Sequence, residues 1–293
     1  MNAARIAPLR KLVLLGTGLI GGSFALALKR ARLVDEVVGV GRNQANLDRA
    51  IELKVIDQAC LDAAQAVQGA GLVMLGTPVG QMGRLMQQIA PHLPEDCLIT
   101  DGGSTKQDVV ALYREHLSAH LPRCVPGHPI AGSDLSGASA AQYGLYEGRR
   151  VVLTALPENT RESIARVRAL WEACGAVVHE MSAEEHDGVF ACVSHVPHLL
   201  AFSYMNAVLD RRNAERCLDF AATGFRDFTR IAGSHPEMWR DITLANREAI
   251  LRDLHANRAR LEELIALVEH ADADALTAYI DRASKARSKW GKR

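Results

Sequence analysis

The segment Leu12-Val13-Leu14-Leu15-Gly16-Thr17-Gly18-Leu19-Ile20-Gly21 joins an apolar strand to a glycine-rich turn, and a helix-favouring run over residues 23–30 follows it. In this order Gly16 permits a tight turn, Gly18 lets the backbone approach a pyrophosphate, and Gly21 lets the helix pack against the strand. The N–H groups and the positive dipole end of that helix then face the anion. The segment therefore predicts a dinucleotide-binding domain, against the alternative of an ordinary glycine-rich turn.

The composition excludes several classes of protein. The chain has 293 residues, enough for about two domains. Lysine plus arginine and aspartate plus glutamate both number 34, so the charge balance gives no sign of nucleic-acid binding. We find no continuous apolar segment of bilayer-spanning length, which predicts no membrane partner. The six cysteines form no CxxC pair, which favours buried thiols in a reducing compartment and hence a cytoplasmic protein.

The N-terminus shares one feature with secretory signals. Arg5, Arg10 and Lys11 precede an apolar stretch that closes with Ala25-Leu26-Ala27. Glycines at nucleotide-loop spacing do not suit a signal core, and cleavage would remove the first strand together with its turn. We therefore interpret the stretch as part of the first domain.

Short apolar runs alternate with amphipathic stretches up to Met181. The predicted strands are 12–15, 36–40, 72–75, 98–100, 124–126, 150–153 and 176–180, with helices such as 43–52, 81–89, 107–116 and 161–174 between them. This alternation predicts an α/β fold with a mostly parallel, doubly wound sheet of Rossmann type. After Met181 the pattern becomes helical only, so we predict a dinucleotide-binding domain over 1–181 and an all-helical domain over 182–293.

A long helix is predicted near the C-terminus. The apolar positions 250, 254, 261, 264 and 268 follow a three/four spacing, with Asn257 at the one polar position of the seam. This pattern suits packing against other helices, and we favour those of a second subunit, which predicts a homodimer. A bundle helix inside a monomer is the alternative. The basic residues after Arg282 are interpreted as a solvated end rather than a nucleic-acid tail.

Two polar residues follow predicted strands at the edge where ligands bind in such sheets. His128 lies between Gly127 and Pro129, and a pKa of about 6.5 suits a group that accepts the hydrogen bond of a substrate hydroxyl while hydride leaves. Ser104, after an earlier strand, is placed to contact the same hydroxyl. The alternatives are a histidine satisfied within its turn and a serine that caps a helix.

Further polar candidates lie in the helical part. His195 and His198 are three residues apart with His186 nearby, but no Glu or Cys completes a zinc set, so we predict no metal. We expect these histidines to line the cleft or to cap a helix broken at Pro197. Arg230 is a candidate carboxylate clamp, with a salt bridge to Asp227 as its alternative. Trp239 would either wall an apolar pocket or pack in the core.

The chain resembles the prephenate/arogenate dehydrogenase family of tyrosine biosynthesis over nearly its whole length. The matching segments are the loop 16–21 and the segments 101–106, 127–132, 194–198 and 227–232. The last three are together far more specific than a nucleotide loop. The resemblance implies a Rossmann domain followed by a helical dimerisation and substrate domain, with oxidative decarboxylation of prephenate or arogenate as the reaction.

The resemblance also implies roles for individual residues. His128 would be the catalytic hydrogen-bond acceptor, Ser104 would support it, and Arg230 would bind the carboxylate of a small-molecule substrate. The remaining residues predicted to bind substrate or to join an ionic network in the cleft are His195, His198, Trp239, Asp134, Asp187 and Asp227. The length of the chain leaves no room for a fused chorismate mutase or a regulatory domain.

The cofactor-binding residues are predicted from the strand ends. They are Gly16, Thr17, Gly18, Leu19, Ile20, Gly21, Gly41, Arg42, Asn43, Thr77 and Pro78. An NAD site usually has Asp or Glu at the end of the second strand, whereas this chain has Gly41-Arg42-Asn43. We therefore predict NADP as cofactor, because Arg42 can pair with the 2′-phosphate. The alternative is NAD, with Arg42 a solvated surface residue.

Two rival functions remain open at this point. One is a different dehydrogenase on a similar two-domain plan, such as a 3-hydroxyacid dehydrogenase or an imine reductase, and these generally need a lysine or another acid where His128 stands. The other is a non-catalytic dinucleotide-sensing protein whose helical domain binds a partner. Turnover of prephenate would separate both from the main hypothesis.

Overall fold

Six parallel strands form the main sheet of the computed structural model, which describes residues 7–132 and 137–291. They are β1 (Leu9–Leu15), β2 (Val34–Val40), β3 (Gln58–Cys60), β4 (Leu72–Leu75), β5 (Leu98–Asp101) and β6 (Cys124–Val125). Their spatial order is β3-β2-β1-β4-β5-β6, and every neighbouring pair is parallel. This is the strand order of doubly wound dinucleotide-binding sheets, so the predicted fold class is confirmed. The chain adds β2 and β3 on one side of β1 and then β4, β5 and β6 on the other side. The order of strands therefore reverses between β1 and β4, and the expected ligand site lies beyond the C-terminal ends of these two strands.

Helices cover both faces of this sheet. They are α1 (Leu19–Arg30), α2 (Gln44–Glu52), α3 (Ala63–Ala66), α4 (Val79–Ile89), α5 (Gln107–His116) and α6 (Arg161–Ala173). Successive residues of β1 serve opposite apolar layers: Leu14 belongs to the same buried cluster as Phe24, and Leu15 to the same cluster as Met82. Burial on both faces explains why β1 is a continuous apolar run rather than an alternating one.

A second sheet corrects part of the sequence prediction. It contains β7 (Gly127–Pro129), β8 (Arg150–Leu153) and β9 (Val177–Glu180), and β7 runs antiparallel to β8. The sequence predicted one mostly parallel sheet, with His128 in a loop beyond a strand. That placement was wrong, because the N–H of Gly127 donates to the side-chain carboxylate of Asp101 rather than to a backbone carbonyl of β5. The ladder of the main sheet therefore ends at Val125, and His128 lies within the short strand β7.

Every element after β9 in the described part of the chain is helical, as the sequence predicts. The helices are α7 (Ala183–Phe190), α8 (Val196–Leu209), α9 (Ala214–Asp219), α10 (Thr223–Thr229), α11 (Pro236–Ala245), α12 (Arg247–Glu269) and α13 (Ala273–Trp290). A π-helical turn, Ala191–His195, joins α7 to α8. The chain divides into two compact units after Arg247, so the predicted domain boundary at 181/182 stays a prediction.

The helical run Ala183–Leu209 is long and apolar enough, by length and composition only, to cross a membrane. The prediction of no continuous apolar segment of bilayer-spanning length did not single out this run, which includes Glu184, Glu185 and Asp187. A single helix of this kind is weak evidence for a span. Within it, His186, Asp187 and His195 are buried polar residues, and all three belong to the cluster described below.

Candidate active site

The loop after β1 has the geometry of a nucleotide cradle. Gly16 has a φ of +103°, which L side chains rarely adopt, and a Cβ atom there would lie 2.9 Å from the carbonyl oxygen of Gly76. A Cβ atom on Gly21 would collide with the carbonyl oxygen of Gly16. Both glycines are therefore required by the close approach of β1, α1 and the loop after β4.

The start of α1 is left open toward an anion. Gly18 is the N-cap of α1, no side chain caps the helix, and nothing lies within 4 Å of the position that a Cβ atom of Gly18 would take. Across the loop, the buried hydroxyl of Thr77 has no hydrogen-bond partner among the described residues. Uncapped N–H groups, open space and an unpartnered hydroxyl together fit the pyrophosphate of a dinucleotide.

The other predicted cofactor residues lie around this cradle. The Thr17 hydroxyl accepts a hydrogen bond from Nδ2 of Asn46 at 3.1 Å. Leu19 and Ile20 form the first turn of α1, and Pro78 is the N-cap of α4. These residues contribute backbone shape rather than free polar side chains.

The end of β2 carries the residues predicted to choose the cofactor. Arg42 is exposed and forms no ion pair with any residue in the described ranges. The side chain of Asn43 accepts a hydrogen bond from the N–H of Asn46 and so caps α2. Its Nδ2 group remains a potential donor, and no carboxylate occupies this strand end.

A chain of hydrogen bonds leads from Asp187 to His128. The Asp187 carboxylate accepts from the backbone N–H groups of Lys106 (2.8 Å) and Gln107 (2.9 Å), and thereby caps α5 from a distant part of the sequence. Its Oδ1 atom also lies 2.7 Å from Nδ1 of His186, whose Nε2 lies 2.8 Å from Nδ1 of His128. The Phe190 ring packs against both imidazoles, with its centroid 4.9 Å from that of His128 and 4.5 Å from that of His186.

This chain fixes the proton positions on both imidazoles. An ionised carboxylate only accepts hydrogen bonds, so Nδ1 of His186 donates to Asp187 and Nε2 of His186 must accept. His128 therefore donates through Nδ1, and its Nε2 atom carries a lone pair. A neutral His128 held this way presents a hydrogen-bond acceptor at Nε2.

The pKa shifts agree with this assignment. Burial, followed by the charges of His186, Lys106 and His195, holds the pKa of His128 well below its ordinary value. Burial alone would raise the pKa of Asp187, but hydrogen bonds from His186, Gln107 and Lys106 lower it overall. Asp187 is therefore ionised and His128 is neutral at physiological pH.

A buried ion pair holds the segment that approaches His128. The Lys106 ammonium, fully buried, pairs with the Asp101 carboxylate and donates to the carbonyl oxygen of Gly127 at 2.9 Å. Asp101 also accepts from the Tyr113 hydroxyl at 3.1 Å and from the N–H of Gly127 at 3.2 Å. These contacts tie the end of β5 to the residue just before His128.

His195 lies near Ser104. It is buried, and burial lowers its pKa to about 4, although Asp187 and a hydrogen bond with the backbone of Ser104 act to raise it. Its Nδ1 atom lies 3.1 Å from Nδ2 of Asn246, the residue after α11. Ser104 does not cap α5, whose N-cap is Lys106.

Two of the residues predicted to bind substrate or to join an ionic network are buried. The carboxylate oxygens of Asp187 bind the start of α5 and His186, which is an ionic-network position. The Nδ1 atom of His195 faces the Asn246 amide. Contact of either side chain with substrate stays a prediction.

The remaining residues predicted to bind substrate differ in burial and in their contacts. The rings of His198 and Trp239 stack at 3.7 Å between centroids, and the buried Nε1 atom of Trp239 has no partner among the described residues. Arg230 and Asp227 are both exposed and form no ion pair with each other, so the alternative role of Arg230 as a partner of Asp227 is not observed. Asp134 lies outside the described residues.

Four supporting residues were not selected from the sequence as members of the site: His186, Asn246, Lys106 and Asp101. The sequence placed His186 near His195 and included Asp101 and Lys106 in a matching segment, but gave none of them a role. Asn246 stands alone after a helix, and no sequence signal marks it.

Two family models match the chain. The model described as prephenate dehydrogenase, nucleotide-binding domain, covers residues 24–180, and the model described as prephenate dehydrogenase, dimerization domain, covers residues 182–282. Together they span most of the sequence.

Individual proteins agree with the family models. The prephenate dehydrogenase of Bacillus subtilis is 36% identical over 278 residues, which are 94% of this chain and 75% of that protein. The cyclohexadienyl dehydrogenase of Zymomonas mobilis is 34% identical and is matched over 95% of both chains. A crystal structure of Aquifex aeolicus prephenate dehydrogenase with hydroxyphenyl propionate and NAD+ matches with a TM-score of 0.89 and 33% identity, over 96% of this chain and 98% of that one.

Proposed function

The chain belongs to the prephenate dehydrogenase family, and from this premise we propose that it catalyses the oxidative decarboxylation of prephenate, arogenate or both in tyrosine biosynthesis. The observation that carries the proposal is the acceptor nitrogen of His128, held by Asp187 through His186. The same chain also has the open glycine loop that fits the pyrophosphate of a dinucleotide.

The cofactor, the substrate and His128 would each supply a different part of the reaction. A bound nicotinamide supplies the hydride acceptor, and release of carbon dioxide with aromatisation of the ring supplies the driving force. Nε2 of His128 accepts the hydrogen bond of the ring hydroxyl and stabilises it as its carbon becomes carbonyl-like. The protein has to orient the reactants and manage one hydroxyl proton, which a fixed neutral imidazole can do.

Turnover with both substrates tests the proposal. Purified protein is incubated with NAD or NADP and with prephenate or arogenate, and reduced cofactor is followed by its absorbance. We expect reduction with at least one of the two substrates. Binding of dinucleotide without turnover of either would instead favour the non-catalytic dinucleotide sensor.

Arg230 is proposed to bind the substrate carboxylate, since its exposed guanidinium has no ion-pair partner in the described part of the chain. Arg230→Gln should raise KM for the substrate by about 10–150-fold, equivalent to a charge-assisted contact of roughly 1.5–3 kcal/mol. The value of kcat should fall less, because the carboxylate is already charged in the ground state. Steady-state kinetics measures both constants.

Arg226, also exposed and one turn earlier on α10, provides the matched control. Arg226→Gln should leave KM nearly unchanged. An unchanged KM in Arg230→Gln would remove Arg230 from the substrate site.

We further propose that NADP is the preferred cofactor. The support is local: Arg42 is exposed and unpaired within the described residues, Asn43 retains a free donor group, and no acidic side chain repels a 2′-phosphate at the end of β2. Gly41 contributes space beside Arg42.

Arg42→Ala should lower kcat/KM for NADP by about 10–150-fold, the value of one charge-assisted contact, and leave kcat/KM for NAD nearly unchanged. Arg49→Ala is the control, because Arg49 is an exposed residue of the neighbouring helix that pairs with Glu52. Equal or better use of NAD by the unmodified protein would refute the preference.

We also propose a cytoplasmic homodimer whose helical substrate and dimerisation domain begins at residue 182. The support for association is a set of exposed apolar side chains in the helical part, among them Phe220 and Leu244, together with Leu261 and Val268 of the predicted seam on α12. The six free cysteines support a reducing compartment.

A further inference from the structure

Asn246 is a buried polar residue that the mechanism above does not use. It is the C-cap of α11 and its relative exposure is 3%. Its Nδ2 group donates to the backbone carbonyl of Asp187 at 2.8 Å and lies 3.1 Å from Nδ1 of His195. Asn246 therefore contacts the residue whose carboxylate orients His186 and also the residue that bonds Ser104.

The contacts determine which way the amide faces and where the His195 proton lies. The carbonyl oxygen of Asp187 only accepts hydrogen bonds, so the NH₂ group and not the oxygen of Asn246 must face it. The second hydrogen of the same NH₂ group then points to Nδ1 of His195, which must be an acceptor. The His195 proton is consequently on Nε2, from which it donates to the carbonyl of Ser104.

We propose that Asn246 is a positioning residue for the reaction: it holds His195 as the Nε2–H tautomer and thereby fixes the Ser104 segment within the active site. The inference rests on the proposed function, because the activity affected is that of the cluster around His128. Loss of the Asn246 amide would free His195 to place its proton on Nδ1, and the hydrogen bond to Ser104 would be lost.

The surroundings of His195 favour the neutral ring, so the tautomer is the variable that Asn246 controls. The titratable groups that face His195 are Asp187 and His186 from α7 and His198 from α8. The ring of Trp239, on α11, is also near, with 6.1 Å between the two ring centroids. Burial is the main cause that lowers the pKa of His195 to about 4.

Nitrogen-15 NMR of histidine-labelled protein tests the inference directly, with the His195 signals assigned by their loss in His195→Gln. In the unmodified protein we expect the Nε2–H tautomer and no titration of His195 above about pH 5. An Nδ1–H tautomer, or a mixture of the two, would overturn the proposal without any Asn246 variant. This readout does not depend on turnover, so it remains decisive if neither prephenate nor arogenate is a substrate.

Asn246→Asp provides the second arm, since it replaces the NH₂ donor by a carboxylate of the same shape. A carboxylate beside Nδ1 should raise the pKa of His195 by about 1–3 units and place a proton on Nδ1. We expect kcat to fall by at least about tenfold, with KM for the cofactor changed by less than about twofold. Asn246→Ala should also lower kcat and should leave His195 as a mixture of tautomers.

Asn159→Ala is the matched control, because Asn159 is a partly buried asparagine whose Nδ2 group also donates to two acceptors, the carbonyl oxygens of Leu121 and Cys124, neither of which is a histidine ring. It should lose comparable stability and keep both the His195 tautomer and kcat. If both Asn246 variants retained kcat within twofold of the unmodified protein and the wild-type tautomer, the positioning role would be wrong.

Discussion

Replacing His128 by asparagine is expected to lower kcat by about 10²–10⁴, with a much smaller change in KM. Asparagine is similar in size, but it cannot serve as the basic acceptor that Nε2 of the neutral imidazole provides. Steady-state kinetics with the preferred substrate measures the effect. His179→Asn is the control, since His179 is an exposed histidine on β9 of the same small sheet.

The pH dependence gives a second readout for His128. Protonation of Nε2 removes the acceptor, so kcat should rise with pH through one ionisation and then level off. Because burial lowers the pKa of His128, this rise should lie below pH 6.5, and His128→Asn should lack it. A near-normal kcat in His128→Asn would end the assignment.

His186→Gln separates orientation from chemistry at the same site. The variant disrupts the acceptor that holds the Nδ1 proton of His128, so part of the population can carry its proton on Nε2 instead. We expect a fall in kcat that is smaller than in His128→Asn. An unchanged kcat would show that the chain from Asp187 to His128 does not set the reactive tautomer.

Lys106→Met is expected to lower the free energy of unfolding by about 3–5 kcal/mol, the usual result of removing one partner of a buried ion pair. The Asp101 carboxylate would remain buried without its cation, and the carbonyl of Gly127 would lose a donor. Urea denaturation at one fixed protein concentration measures the loss. Lys29→Met, which removes a partly exposed pair with Asp57, should cost no more than about 1 kcal/mol.

The same variant should alter the titration of His128. The charge of Lys106 contributes to lowering the pKa of His128, so its removal should move the rise of kcat to higher pH. A stability loss as small as that of Lys29→Met, with an unmoved pH profile, would contradict both the structural and the electrostatic role of Lys106.

The sequence predicted those parts of the molecule that have a local signal. The apolar run at Leu12–Leu15 and its glycine spacing located β1 and the nucleotide loop, because burial on both faces and close backbone approach restrict the residue types directly. The helical character after Met181 was also readable from periodicity. His128 was selected as a candidate from its position after a strand, although the structure shows that it lies within the short strand β7.

The partners of His128 could not be predicted in the same way. His128 and His186 are separated by 58 positions, and Asp187 caps a helix that begins 80 positions earlier. No periodicity links such residues, since their contact depends on how α7 packs against α5. For the same reason, the sequence neighbours of His195 do not show that its Nδ1 atom faces Asn246, 51 positions away.

The π-helical turn at Ala191–His195 has a consequence for insertions and deletions in this segment. A π-turn contains about one residue more than an α-helical turn, so deleting any one of its five residues would let α7 and α8 run on as one regular helix. Because the extra residue is the one removed, α7 and α8 would keep nearly the same rotation about their common axis, and His186 and Asp187 would keep nearly their direction relative to His198. A deletion within α8 before His198 would instead rotate the two sets of residues by about 100°. The π-turn, with its exposed residues Cys192 and Val193, is therefore expected to accept a one-residue deletion more readily than the regular helices beside it.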